Sequence, residues 1–135
     1  WGGNVLQDGG VDCSGYPQLV WARLGIEPWA SRYPSHVDLS AEGMRLQLRR
    51  LTEAAVGCVA LYTAKGSDLA HHAVLVTAVD VAGDVTEVMG ARRGHKGLVS
   101  RDDARARKAW VRSFPTHLYA PDDHEFVGFR APVLM

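Results

Sequence analysis

Apolar and polar positions change period part-way along this chain. From Ser14 to Leu24 the apolar residues Leu19, Val20, Trp21 and Leu24 fall at helical spacing, and Gly25 follows as a stop signal. Pro17 is compatible with a helix there only close to its start, where a missing backbone N–H costs least. A second helix is expected from a Ser40 cap to about Glu53, with Met44, Leu48 and Leu51 on one face. The segment between them, 26–38, holds Pro28 and Pro34 and reads as a surface loop. After residue 55 the period shortens. Residues 56–63, 72–80 and 84–89 are rich in Val, Ala, Leu and Thr and read as strands, with Val81-Ala82-Gly83-Asp84 as the turn between the last two. A short charged helix is expected at 101–110 and a final strand at 126–130. Helices first and an antiparallel meander afterwards define an α+β domain, its N-terminal helices packed on one face of a mostly antiparallel sheet.

A chain of 135 residues without a long polar linker or an internal repeat reads as a single domain over 1–135. Fifteen basic side chains balance fifteen acidic ones, so no cationic excess points to nucleic acid. The one basic cluster, Arg92, Arg93, His95 and Lys96, reads as a solvated loop. No apolar run approaches the roughly twenty residues of a membrane span, and no secretory-type leader is present. The chain opens abruptly at Trp1-Gly2-Gly3, within a motif-like stretch, so further residues or domains are expected upstream.

The two cysteines have different settings. Cys58 lies in the apolar run Val56-Gly57-Cys58-Val59-Ala60-Leu61-Tyr62, where a small buried thiol is ordinary packing. Cys13 lies between Asp12 and Ser14, with Gly9, Gly10 and Gly15 nearby, at the start of the first expected helix. A helix N-terminus lowers a thiol pKa and offers N–H groups to a developing oxyanion. A base for that thiol needs a rigid mount. Of the six histidines (His36, His71, His72, His95, His117, His124), only His71 and His72 head a strongly apolar strand. Side chains alternate along a strand, so one of the two faces the cysteine and the other does not. Zinc on Cys13, Cys58 and the histidine pair has poor ligand spacing, and the paired acids Asp102-Asp103 and Asp122-Asp123 read as solvated.

Trp1-Gly2-Gly3-Asn4, then Gly10-Val11-Asp12-Cys13-Ser14-Gly15, resembles the opening motif of the NlpC/P60 cysteine peptidases. Gln18-Leu19-Val20-Trp21-Ala22-Arg23-Leu24-Gly25-Ile26 resembles that family's first core helix. Val56 to Tyr62 is similar to its next strand, and His72-Ala73-Val74-Leu75-Val76 to its histidine strand. Met89-Gly90-Ala91 and Lys96-Gly97-Leu98-Val99 are similar to the following strand and its exit, so the likeness runs through most of 1–99. The resemblance implies a papain-like α+β fold and hydrolysis of amide bonds in bacterial peptidoglycan peptides, often next to a D-glutamyl residue. It implies Cys13 as nucleophile, His72 as the base that later protonates the leaving amine, and Trp1, Asp12 and Ser14 around the substrate. It implies no metal or organic cofactor, and a secreted, cell-envelope or phage-tail setting. The alternatives are a related acyltransferase or amidase with the same dyad, or a cell-wall binding module that has lost turnover.

Departures from the family pattern bear on the site. The third polar residue expected after the histidine strand falls at Gly90. His95 in the following loop is the substitute the sequence offers, Glu87 serves only in a different hairpin register, and a dyad without a third member is the remaining option. The family aspartate after glycine is Cys58, and its Leu-Pro-Arg is replaced around Glu27-Pro28-Trp29. Ala73, as a small residue two positions on, favours His71 as the base; the length of strand to Asp80 favours His72, which is the expectation.

Overall fold

The structure, a computed structural model, describes residues 12–32, 39–91, 111–114 and 124–135. Three helices, α1 (Gly15–Arg23), α2 (Trp29–Arg32) and α3 (Ala41–Gln47), precede a six-stranded sheet. Its strands are β1 (Leu48–Leu51), β2 (Val59–Ala64), β3 (Ala70–Val79), β4 (Val85–Ala91), β5 (Val111–Phe114) and β6 (His124–Leu134). Their spatial order is β1-β6-β2-β3-β4-β5 and every pairing is antiparallel. The expected α+β architecture is present: β2 to β5 form a meander, and β6 returns to fill the place between β1 and β2.

Strand alternation divides the apolar residues into two cores. Val59, Leu61, Ala73 and Leu75 pack with Trp21 of α1, Trp29 of α2 and Met44 of α3. On the other face Cys58, Ala60, Tyr62, Val74, Val76, Val85 and Val88 pack together. The helices therefore sit on one side of the sheet. Trp21 and Trp29 meet edge-on with ring centroids 4.8 Å apart, and both are fully buried.

Two readings of the sequence are corrected by this packing. The second helix does not reach Glu53: it ends at Gln47, and Leu48–Leu51 is strand β1, paired with β6. Met44, Leu48 and Leu51 share one face of a helix, but a spacing of three puts Leu48 and Leu51 on opposite faces of a strand. Accordingly, Leu48 joins the helix-side core and Leu51 packs against the other. The Ser40 cap is as expected, its hydroxyl accepting from the Gly43 N–H at 3.0 Å. The supposed surface loop 26–38 contains α2, whose Trp29 is buried in the core. The expected helix at 101–110 lies outside the described residues.

Asp80 sets the β3–β4 hairpin. Its carboxylate accepts from the N–H groups of Ala82 and Asp84, and Gly83 takes a positive φ of 91°. The final strand is longer than the sequence suggests, running from His124 to Leu134 as an interior member of the sheet.

Candidate active site

Asp12, Cys13 and Ser14 form the entry to α1. Asp12 is the residue that caps it. Its carboxylate accepts from the Gly15 N–H at 2.7 Å and from the Ser14 hydroxyl at 3.2 Å, while its carbonyl accepts from the Tyr16 N–H at 3.1 Å. Ser14 is buried, its carbonyl held by Gln18 at 2.9 Å. These contacts give the two residues structural work within the helix start; Trp1, the third residue expected at the substrate, lies outside the described residues.

Gln18 anchors this entry to the core. Its Nε2 donates to the carbonyls of Ser14 and Leu39, both at 2.9 Å. Its Oε1 accepts from the Leu39 N–H at 3.0 Å and from Trp29 Nε1 at 3.2 Å. A fully buried amide with both of its ends hydrogen-bonded fixes the helix start against α2 and the segment entering α3. Trp21 Nε1 adds a tether to the Gly57 carbonyl at 2.9 Å, and the Tyr16 hydroxyl donates to the sulfur of Met89 at 2.8 Å.

The tethered helix brings Cys13 to β3. Val76 exchanges both backbone hydrogen bonds with the β2 side, through Gly57 and Cys58. Odd-numbered residues of that stretch therefore turn their N–H and C=O groups the other way, toward β4. Cys13 meets two of them: its thiol lies 3.9 Å from the His71 carbonyl, and the Ala73 N–H points at its sulfur. The N–H groups of Ser14 and of Cys13 itself also favour a thiolate. Burial outweighs them, and with the Asp12 charge it holds the thiol pKa above its ordinary value. The helix N-terminus was expected to lower it. In the resting protein Cys13 is a thiol at neutral pH.

The two histidines exchange places relative to expectation. His72 pairs with Tyr62 across the β2–β3 ladder and lies on the face away from the helices. Its ring centroid is 6.2 Å from that of Tyr62 and 6.2 Å from that of His124. His71 is the residue at which the ladder slips, between the pairs Tyr62↔His72 and Thr63↔Ala70. The bulge leaves Ala70 in the helix-side core together with Ala73, and His71 between them shares that side. Glu42 on α3 accepts from the Ala70 N–H at 3.3 Å, and its carboxyl is held below the ordinary range mainly by Arg45 and to a small degree by His71. The register thus turns His71 to the helix side and His72, the residue expected to face Cys13, to the other. The His71 ring nitrogen Nε2 lies 3.1 Å from Ser67 Oγ.

For a third member, Gly90 faces Val74 on the far side of the sheet, where an added Cβ would come within 3.1 Å of a Val74 methyl. Glu87 pairs with Ala78 and accepts from the Thr77 hydroxyl at 2.6 Å. Ala78 is seven residues along β3 from His71, about 23 Å at strand rise, and this places Glu87 out of reach of either histidine. His95 lies outside the described residues. Cys58 is buried on the far face and unbonded to Cys13, both cysteines being free thiols. Among the described residues no cluster of three metal-ligating side chains occurs, and no helix is long and apolar enough to cross a membrane.

Neither the protein-family models nor the curated proteins nor the solved structures searched contain a match to this chain. The functional reading therefore rests on this geometry and on the resemblance of the motifs.

Proposed function

We propose that this chain is a papain-like cysteine hydrolase acting on amide bonds of bacterial peptidoglycan peptides, with Cys13 as nucleophile and His71 as base. The observation that carries the reading is the meeting of a helix-start cysteine with a histidine-bearing strand, at a point where backbone N–H groups converge on the sulfur. In the reaction, His71 takes the thiol proton as Sγ adds to the substrate carbonyl. It then gives that proton to the leaving amine, and water resolves the acyl-enzyme. Because burial keeps the resting sulfur protonated, the proton moves when substrate engages, and no preformed ion pair is required. The Ala73, Ser14 and Cys13 N–H groups then offset the charge on sulfur. Ordering His71 toward the sulfur belongs to the same step, since among the described residues the ring has no hydrogen bond to Cys13. Catalytic hydrogen bonds commonly tighten only in the substrate complex.

The raised thiol pKa favours a second reading, a cell-wall binding module that keeps the cleft without turnover. One experiment separates them. Purified peptidoglycan fragments are incubated with the native protein and with Cys13→Ala, His71→Ala and His72→Ala, and the products are read by mass spectrometry. Cleavage by the native protein and His72→Ala, lost in the other two, is the expected result. Binding of fragments without cleavage by any form would overturn the peptidase reading in favour of the module. Loss in His72→Ala with retention in His71→Ala would overturn the assignment of the base.

A further inference from the structure

Ser67 lies in the turn between β2 and β3, its N–H bonded to the Ala64 carbonyl at 3.0 Å. Its hydroxyl oxygen receives the Leu69 N–H at 3.2 Å and lies 3.1 Å from His71 Nε2. A serine oxygen has two lone pairs and one proton. With Leu69 on one lone pair, the second is available to an Nε2–H of His71. We infer that Ser67 is the positioning residue of the proposed dyad, holding His71 in the Nε2–H tautomer and leaving Nδ1 as the basic nitrogen. The inference rests on the hydrolase reading above for its catalytic meaning, but the tautomer itself does not.

The chemistry follows from proton position. With the Nε2 proton engaged by Ser67, Nδ1 carries the lone pair that accepts the Cys13 proton. The resulting imidazolium keeps its Nε2–H on the same oxygen, and the bond strengthens because its donor is now charged. The proton returns from Nδ1 to the leaving amine, and the neutral tautomer is restored without a change at Nε2. Ser67 thus supplies from the β2–β3 turn what the sequence pattern leads one to seek on the strand after β3, where Gly90 stands.

The test uses the whole chain with ¹⁵N-labelled histidine, as native protein, Ser67→Ala and Ser67→Thr. Ring ¹⁵N shifts are read alongside cleavage of peptidoglycan fragments. The expected result is a single Nε2–H tautomer for His71 in the native protein and in Ser67→Thr. In Ser67→Ala a tautomer mixture is expected, with kcat reduced about tenfold and KM little changed, the weight of one hydrogen bond to a charged group. An Nδ1–H tautomer in the native protein, or a tautomer unchanged in Ser67→Ala, overturns the inference. If no form cleaves the fragments while the tautomer responds to Ser67, the positioning contact stands and the hydrolase reading falls. If the native protein cleaves and the tautomer is indifferent to Ser67, the hydrolase reading stands and this inference falls.

Discussion

Replacing Gln18 with leucine should cost a large part of the stability of the domain. Four hydrogen bonds are lost at once, those of the Gln18 amide to the carbonyls of Ser14 and Leu39, to the Leu39 N–H and to the Trp29 indole N–H. Gln18 is fully buried, so water does not replace it without opening the junction between α1 and α2. A net hydrogen bond is worth about 0.5–1.5 kcal/mol, so the loss of these bonds together is expected to cost about 3–5 kcal/mol. Against a total stability of roughly 5–15 kcal/mol for a domain, that is a large fraction. Urea unfolding followed by tryptophan fluorescence measures it directly, since Trp21 and Trp29 share the affected core. Leucine also removes the Gln18 bond to the Ser14 carbonyl, next to Cys13 in the chain, so alkylation of Cys13 should change rate below the unfolding transition. A measured loss under about 1 kcal/mol would refute the claim that this amide organises the helix start. A loss of full size with an unchanged Cys13 alkylation rate would refute only its link to the thiol.

Asp12→Asn keeps an oxygen for the Gly15 N–H but removes the charge that opposes the thiolate, so Cys13 should alkylate faster at pH 7.5 with stability nearly unchanged. Asp12→Ala removes the cap as well and should lower stability by about 1 kcal/mol in the same urea assay. Stability should fall as pH rises above the ordinary thiol range. The folded pKa values of Cys13 and Cys58 are raised, so between the unfolded and folded values the unfolded chain ionises first. A Cys13→Ala, Cys58→Ala double variant should show a shallower alkaline loss by thermal melts from pH 7 to pH 10. Gly90→Ala presses a methyl on Val74 at 3.1 Å and should destabilise by about 1 kcal/mol. Gly90→His should not raise activity, because that position points away from His71.

The sequence alone determined the element types where one period dominates. The alternation of β2, β3 and β4, the start of α1 and the Ser40 cap were all legible, because a strand or a cap is specified by residues close in the chain. Cys13 stood out for the same reason: its setting between Asp12 and Ser14, with glycines nearby at a helix start, is local chemistry. What the pattern could not decide was anything fixed by a distant partner. Met44, Leu48 and Leu51 fit a helix until β6 claims Leu48–Leu51 as an edge strand, and no local signal announces that claim. The buried Gln18 reads as an ordinary polar helix residue until Leu39 and Trp29 arrive to bond it.

The choice between His71 and His72 shows the division most plainly. Alternation guarantees that they face opposite ways, and that much is written in the sequence. Which of them faces the helices depends on the bulge where Thr63 meets Ala70, a register set by how β2 and β3 pair over their whole length. The thiol pKa has the same origin. A helix start lowers it and burial raises it, and only the packing of α1 against β3 fixes how much water is removed from the sulfur. Local bonding and period belong to neighbours in the chain; register, facing and desolvation belong to contacts between segments far apart in it.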